Sequence, residues 1–509
     1  MKVLGRVCDG SSIYECKVES NENIKYGEFV IMENMDGEYV LGSIRDATAH
    51  KDKTIYKVHI LGELHDNILL PNRSPIDPNG EVYYCDDGIL SQIFATEKGL
   101  DIGHVLTRDN IRVKLDVNKL VSRHFAILAI TGGGKSNTVA VLCKELAKIN
   151  STVVMMDPHG EYSTMKHKVL DDKLNVIKAT LDPSILSPLE FSELLGIKEN
   201  ERRENIFLTM AYDTVKQNLI EIRKELRGMD FVEELEKLVG EWINKSIMGW
   251  EIRFYDNIYK KYATRKLEKE DTDTLLSLLD YIRDFEASFS GNIEKGDILE
   301  KIQPNKINII DLGGFEANQM NALVTYVGKQ ILRLRISYMK SKKDLINHPD
   351  DKVRAQARKT IQEIESKFPG LIKPILMIVE EAHIFIPRDR KTGATYWLGK
   401  ISREGRKFGV GLGIVSQQPK KLNEDILSQA NTKIILKIVE PEDQKYIQKS
   451  SENLGEELIK NLPSLGIGEA IISGISIKLP VIVKIDRFDG SYGGEDIDIY
   501  GEWNSVYRY

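Results

Sequence analysis

Phe125-Ala126-Ile127-Leu128-Ala129-Ile130 is an unbroken apolar run, the pattern of a strand buried on both faces. It leads into Thr131-Gly132-Gly133-Gly134-Lys135-Ser136-Asn137, after which Val139, Leu142, Leu146 and Ile149 recur at helical spacing. Strand, glycine loop with Lys-Ser, then helix is the order that a phosphate-binding loop requires. The glycines let backbone N–H groups converge on phosphate oxygens, and the helix N-terminus adds partial positive charge. Lys135 is assigned to the β and γ phosphates and the Ser136 hydroxyl to one Mg²⁺ position, with Thr131 and Asn137 at the two ends of the binding stretch. One departure stands out: the usual pattern opens with a glycine where this chain has Ala129. Alanine is the smallest residue with a Cβ, so the turn survives with less freedom. The stretch predicts ATP or GTP as ligand.

A second apolar strand, Ile375-Leu376-Met377-Ile378-Val379, runs into Glu380-Glu381-Ala382-His383. A buried strand ending in paired carboxylates delivers acids to the ligand crevice, as ATP hydrolysis requires. Glu380 is assigned to the Mg²⁺ side and Glu381 to the attacking water. His383 is read as a turn histidine without partners. Downstream, a helix over Thr395–Lys407 carries Arg403 and Arg406 on one face. Two readings stay open for them: a positive charge supplied to a neighbouring subunit's phosphate, or a solvated helix face. Val410-Gly411-Leu412-Gly413-Ile414-Val415 then ends in Ser416-Gln417-Gln418-Pro419, and Gln417 is placed to sense the γ-phosphate. Thr152–Met156, after the loop helix, ends in Asp157-Pro158-His159-Gly160-Glu161-Tyr162. Asp157 and Glu161 either lie near the nucleotide or form a turn with solvated acids.

At 509 residues the chain exceeds a single core, and 41% hydrophobic with 29% charged residues is a globular profile. No stretch approaches the ~18 apolar residues of a membrane span, so no membrane partner and a cytoplasmic location are expected. The four cysteines lack metal-ligand spacing and read as free thiols. A formal charge of −6 excludes a uniformly basic surface but not a local basic channel. The expected fold class is α/β. Residues 1–112 read as an N-terminal small β-barrel, with a hairpin at Met35-Asp36-Gly37. Residues 113–183 and 301–485 are the two parts of an ATPase core, 184–300 a helical insertion and 486–509 an acidic, aromatic extension. Within the second part, 317–340 reads as a long helix and 341–366 as a charged, mobile segment.

Together these motifs resemble the HerA family, hexameric DNA translocases of the HerA/FtsK superfamily. The likeness rests on Thr131–Thr138, Asp157–Tyr162, Glu380–His383, Arg403–Gly409 and Ser416–Pro419, five motifs in the family order. It implies a RecA-like P-loop core, ATP and Mg²⁺ as cofactors, a homohexamer around double-stranded DNA, and a NurA-type nuclease partner in DNA-end resection. It further implies Arg406 as a finger reaching the neighbour's site, Arg403 close by, and Arg123 as a basic residue that also reaches a neighbouring nucleotide. Two alternatives accompany this expectation: a nucleotide-gated ring that activates a bound effector, and a motor that pumps protein.

Overall fold

The computed structural model describes residues 3–493 apart from 67, 199, 290, 452 and 453, together with 499 and 503. Its centre is an eleven-stranded sheet. Seven strands are parallel, in the order Leu174–Lys178, Ile307–Asp311, Thr152–Asp157, Ile375–Val379, Val410–Ser416, Phe125–Leu128 and Thr432–Ile435. Four antiparallel strands extend it: Glu469–Gly474, Val481–Ile485, Gly99–Val105 and Arg108–Asp116.

The apolar run chosen from the sequence is sandwiched as its composition demands. Ala126 and Leu128 face one core with Val154, Met377 and Val379, while Phe125 and Ile127 face the other with Val153, Met155 and Ile378. Alternate residues of each strand therefore build opposite layers. The first layer is covered by the helical insertion and by the helix Ala317–Asn347. The second is covered by the loop helix Lys135–Lys148 and by three barrel residues, Phe29, Ile31 and Leu41. Gly413 explains one sequence oddity in the central strand: a Cβ there would lie 2.4 Å from the Phe125 ring.

The barrel closes as six strands. Glu15–Ser20 pairs with both Val3–Val7 and Thr54–His65, and Glu81–Tyr84, Phe29–Glu33 and Tyr39–Ala49 complete the circuit. The expected limit at residue 112 falls inside the eleven-stranded sheet, because the strands Gly99–Val105 and Arg108–Asp116 pair there. Both segments are β-rich, and nothing local distinguishes which sheet they join. The insertion contains helices Arg202–Glu221, Met229–Ile247 and Lys269–Phe289, and also a two-stranded hairpin. The segment read as mobile is instead a helix, Asp351–Lys367, packed on the preceding one through Tyr338, Ile361 and Ile364. Of the expected extension, 494–498, 500–502 and 504–509 lie outside the described residues.

Candidate functional site

Parallel strands bring their carboxyl ends to one edge, and the phosphate loop, the acid motif and Gln417 all leave strands there. The strand order matters, because Val410–Ser416 lies between the loop strand and the acid strand. Gln417 accordingly bridges them: Thr131 Oγ1 donates to its Oε1 at 2.6 Å, and its Nε2 donates to Glu381 Oε1 at 2.6 Å. Ala129 continues the strand rather than the cradle, its N–H bonded to the Ser416 carbonyl, which accounts for the tolerated departure from glycine.

Lys135 is the hub. Its Nζ lies 2.7 Å from Glu380 Oε1 and 2.6 Å from Glu381 Oε1, and all three side chains are buried. Consecutive strand residues normally point to opposite faces. Glu381 escapes that rule through a left-handed backbone, φ 45°, ψ 45°, which swings its carboxylate to the side of Glu380. Such a conformation costs ~1–3 kcal/mol in a non-glycine residue and persists where surrounding contacts impose it. Burial opposes the charge on Lys135, but the two carboxylates offset it and hold the ammonium's pKa above its usual range. For Glu380 burial dominates and raises the pKa despite Lys135 and a hydrogen bond from the Tyr162 hydroxyl at 2.8 Å. For Glu381 burial is overcome by His383, Lys135 and Gln417, which bring it down to about 2. The two acids thus sit in opposite electrostatic settings, the pattern by which paired carboxyl groups take separate roles.

His383 does have partners. Its Nδ1 lies 3.3 Å from Glu381 Oε2 and 3.3 Å from Ser416 Oγ, and its Nε2 lies 3.2 Å from Gln418 Nε2. Ser416 and Gln418 come from the end of a neighbouring strand and are invisible to local sequence. Ser136 Oγ donates to Glu161 Oε2 at 2.9 Å, which places Glu161 at the site. Asp157 and Asn137, by contrast, are turned to backbone. The fully buried Asp157 carboxylate accepts the N–H groups of Glu161 and Tyr162, so it shapes the turn. Asn137 donates to the Asp486 carbonyl and accepts the Phe488 N–H, so it pins the final strand's exit.

The residues present fit a nucleotide with a divalent cation on two counts. Glu380 Oε2 is buried and, among the described residues, has no hydrogen-bond partner. The loop opens as a cradle in which Gly132 and Gly134 take φ of 74° and 97°, and the helix from Lys135 begins without a side-chain cap, leaving N–H groups for an anion. A cleft of ≈ 520 Å³ lined by the loop, Glu161, Gln417 and Tyr492 lies over it.

Arg123, Arg403 and Arg406 are elsewhere. Arg123 precedes the loop strand, and Arg403 and Arg406 precede Val410–Ser416, all on the amino-end edge. At ~3.3 Å per residue, that seven-residue strand puts roughly 20 Å between Arg406 and Gln417. All three arginines are exposed and, among the described residues, make no side-chain hydrogen bond or ion pair. None can reach the phosphate loop of its own chain.

Among the described residues, no helix is long and apolar enough to cross a membrane. The chain matches the family profiles "Helicase HerA, central domain" over residues 100–331 and "Helicase HerA-like C-terminal" over 370–488. It is 52% identical to the probable DNA double-strand break repair helicase HerA of Methanocaldococcus jannaschii, covering 99% of this chain and 98% of that protein. Identity to the DNA double-strand break repair helicase HerA of Pyrococcus furiosus is 38%, over 97% and 95%. The bacterial conjugative coupling protein TrwBdeltaN70 shares the fold at 12% identity and a TM-score of 0.50, covering 81% of this chain and 95% of that one. On the strength of near full-length identity, both profiles and the motif geometry, the chain belongs to the HerA family.

Proposed function

We propose that this chain is an ATP- and Mg²⁺-dependent motor that moves along double-stranded DNA as a homohexameric ring in the cytoplasm, working with a NurA-type nuclease at DNA ends. The DNA assignment is supported by relatives named as double-strand break repair helicases. The observation that carries the ATPase reading is the Lys135–Glu380–Glu381 cluster braced by Gln417.

Nucleotide binding exchanges partners in that cluster. Lys135 leaves the carboxylates for the β and γ phosphates, and the loop N–H groups take phosphate oxygens. Ser136 and Glu380 would hold Mg²⁺, which when bound would neutralise phosphate charge. Ser136 thereby gives up its bond to Glu161. Glu381 loses Lys135 but keeps Gln417 and His383, so its carboxylate stays aimed while it accepts a hydrogen bond from the attacking water. Gln417, held between Thr131 and Glu381, senses whether the γ-phosphate is there. Arg406, with Arg403 and Arg123 beside it, serves the neighbour's site. The barrel forms a collar on which the nuclease docks, with contacts multiplied by ring symmetry.

The test is ATPase rate with and without double-stranded DNA, run beside a solution mass measurement. Stimulation by duplex and a mass of six chains are expected. Turnover indifferent to DNA would overturn the motor, and a monomer in the presence of nucleotide would overturn the ring.

A further inference from the structure

Within the insertion, Glu251–Asp256 and Lys261–Lys266 form an antiparallel hairpin of two strands. Residues directly opposite share a face, so the register divides it cleanly. One face packs inward through Ile252, which is fully buried, and Phe254. The other carries Glu251, Arg253, Tyr255, Tyr262, Thr264 and Lys266, with Glu251 opposite Lys266. On it the Arg253 guanidinium sits 4.1 Å from the Tyr262 ring centre, and Tyr262 meets Tyr255 edge to face at 5.4 Å. At the tip, the Asp256 carboxylate accepts the N–H groups of Ile258 and Tyr259 at 2.9 and 3.1 Å. The turn is therefore fixed while it presents Ile258 and Tyr259 at 86% and 71% exposure. Trp250, just ahead of the first strand, is 62% exposed.

The hairpin is held to the helices by Ile252 and Phe254, by the Tyr255 N–H bonded to Thr214 Oγ1 and by the Tyr262 hydroxyl, which donates to Asn218 Oδ1 at 2.6 Å. The exposed rings of Trp250 and Tyr259 form no side-chain hydrogen bond to them among the described residues. The charge is also local. From Lys245 to Lys266 the chain carries six basic and two acidic residues, against −6 for the whole protein. Lys245 is engaged by Glu241 and Arg265 by Asp271. Among the described residues, no carboxylate lies within ion-pair distance of Arg253, Lys260, Lys261 or Lys266. Cations without a carboxylate partner beside exposed aromatic rings match a strand that offers phosphates and unstacked bases together. A duplex keeps its base faces stacked inside and could use only the cations.

We propose that this hairpin is a binding site for single-stranded nucleic acid, separate from the nucleotide site and independent of it. The test uses the full chain without ATP, a fluorescein-labelled oligothymidylate, a labelled duplex of equal length, and anisotropy. Replacing Trp250 and Tyr259 together by Ala should weaken single-strand binding roughly tenfold and leave duplex binding unchanged, while Tyr259→Phe retains it. Lys260→Glu with Lys261→Glu should weaken binding and flatten its salt dependence. Basal ATPase rate and particle mass should match the parent for each variant. Unchanged single-strand affinity in the Ala pair, or equal loss on duplex, overturns the proposal. So does a drop in particle mass, which would make the hairpin a contact between copies of the chain.

Discussion

At the carboxyl ends of the parallel strands Lys135 holds two buried carboxylates, Gln417 ties Glu381 to Thr131, and His383 closes the group. At the amino ends of the same strands Arg123, Arg403 and Arg406 lie exposed with no partner among the described residues. One edge is satisfied within the chain and the other is not. On the proposed function the difference separates what one chain would supply from what a second would add: the first edge holds the glycine loop, the paired acids and Gln417, and the second holds cations with nothing of their own to neutralise. In the proposed ring a head-to-tail contact would join the two, since a heterologous contact places different surfaces of one protein against each other.

The largest effects belong to the satisfied edge. Lys135→Ala should abolish ATP turnover and weaken nucleotide binding, because the phosphates lose their point charge. It should also destabilise the free protein, because two buried carboxylates lose the cation that neutralises them. Glu381→Gln should bind ATP normally and lose hydrolysis by ~10²-fold or more. Nucleotide titration and steady-state turnover separate the two. Near-native turnover by Glu381→Gln would remove the water-polarising role from that residue.

The unsatisfied edge is tested by mixing. If Arg406 acts across a boundary, Arg406→Ala and Glu381→Gln damage different halves of one composite site. Rings assembled from both inactive chains then contain some intact sites, and part of the ATPase activity should return. This requires that subunits exchange and that sites fire independently, so exchange is measured alongside with a labelled chain. No recovery where exchange is demonstrated would break the comparison between the edges.

How much of this was readable beforehand follows the same division. Lys135, Glu380, Glu381 and Gln417 each end or follow an apolar run, and parallel strand direction alone carries them to one crevice. The partners of His383 were not readable, because Ser416 and Gln418 arrive from a neighbouring strand. Asp157 and Asn137 carry the right chemistry for a ligand, yet each is consumed by nearby backbone N–H or carbonyl groups. The helix Asp351–Lys367 hid behind its charge: Ala357, Ile361 and Ile364 already had helical spacing. The barrel's end was obscured because β-rich segments do not announce which sheet they complete.

His383 gives a smaller effect than the acids. Because it touches Glu381 and not the phosphate loop, His383→Ala should lower kcat roughly tenfold with little change in KM. His383→Asn should restore part of the loss by keeping a polar contact. A raised KM at unchanged kcat would assign the residue to ATP binding instead.

The last effect is on stability rather than turnover, a pH dependence at the arginine edge. His124, next to Arg123, is buried; its Nδ1 accepts the Leu412 N–H at 2.9 Å, and its ring also bonds the backbone of Ser402. Burial pushes its pKa down to about 4; the Ser402 bond works against the shift and Arg123 adds to it. The unfolded chain takes up this proton near pH ~6.5, whereas the folded chain refuses it until about pH 4. The contribution is therefore whole above pH ~6.5, shrinks as pH falls through that window, and amounts to about 3 kcal/mol. His124→Gln keeps a polar side chain but does not titrate. It should melt below the parent at neutral pH, and the gap in thermal midpoint should narrow as the solution is acidified. A gap that stays constant from neutral pH down to about 4 would mean that His124 enters only through packing, and that the arginine edge, unlike the phosphate edge with its paired acids, is held without a proton-sensitive contact.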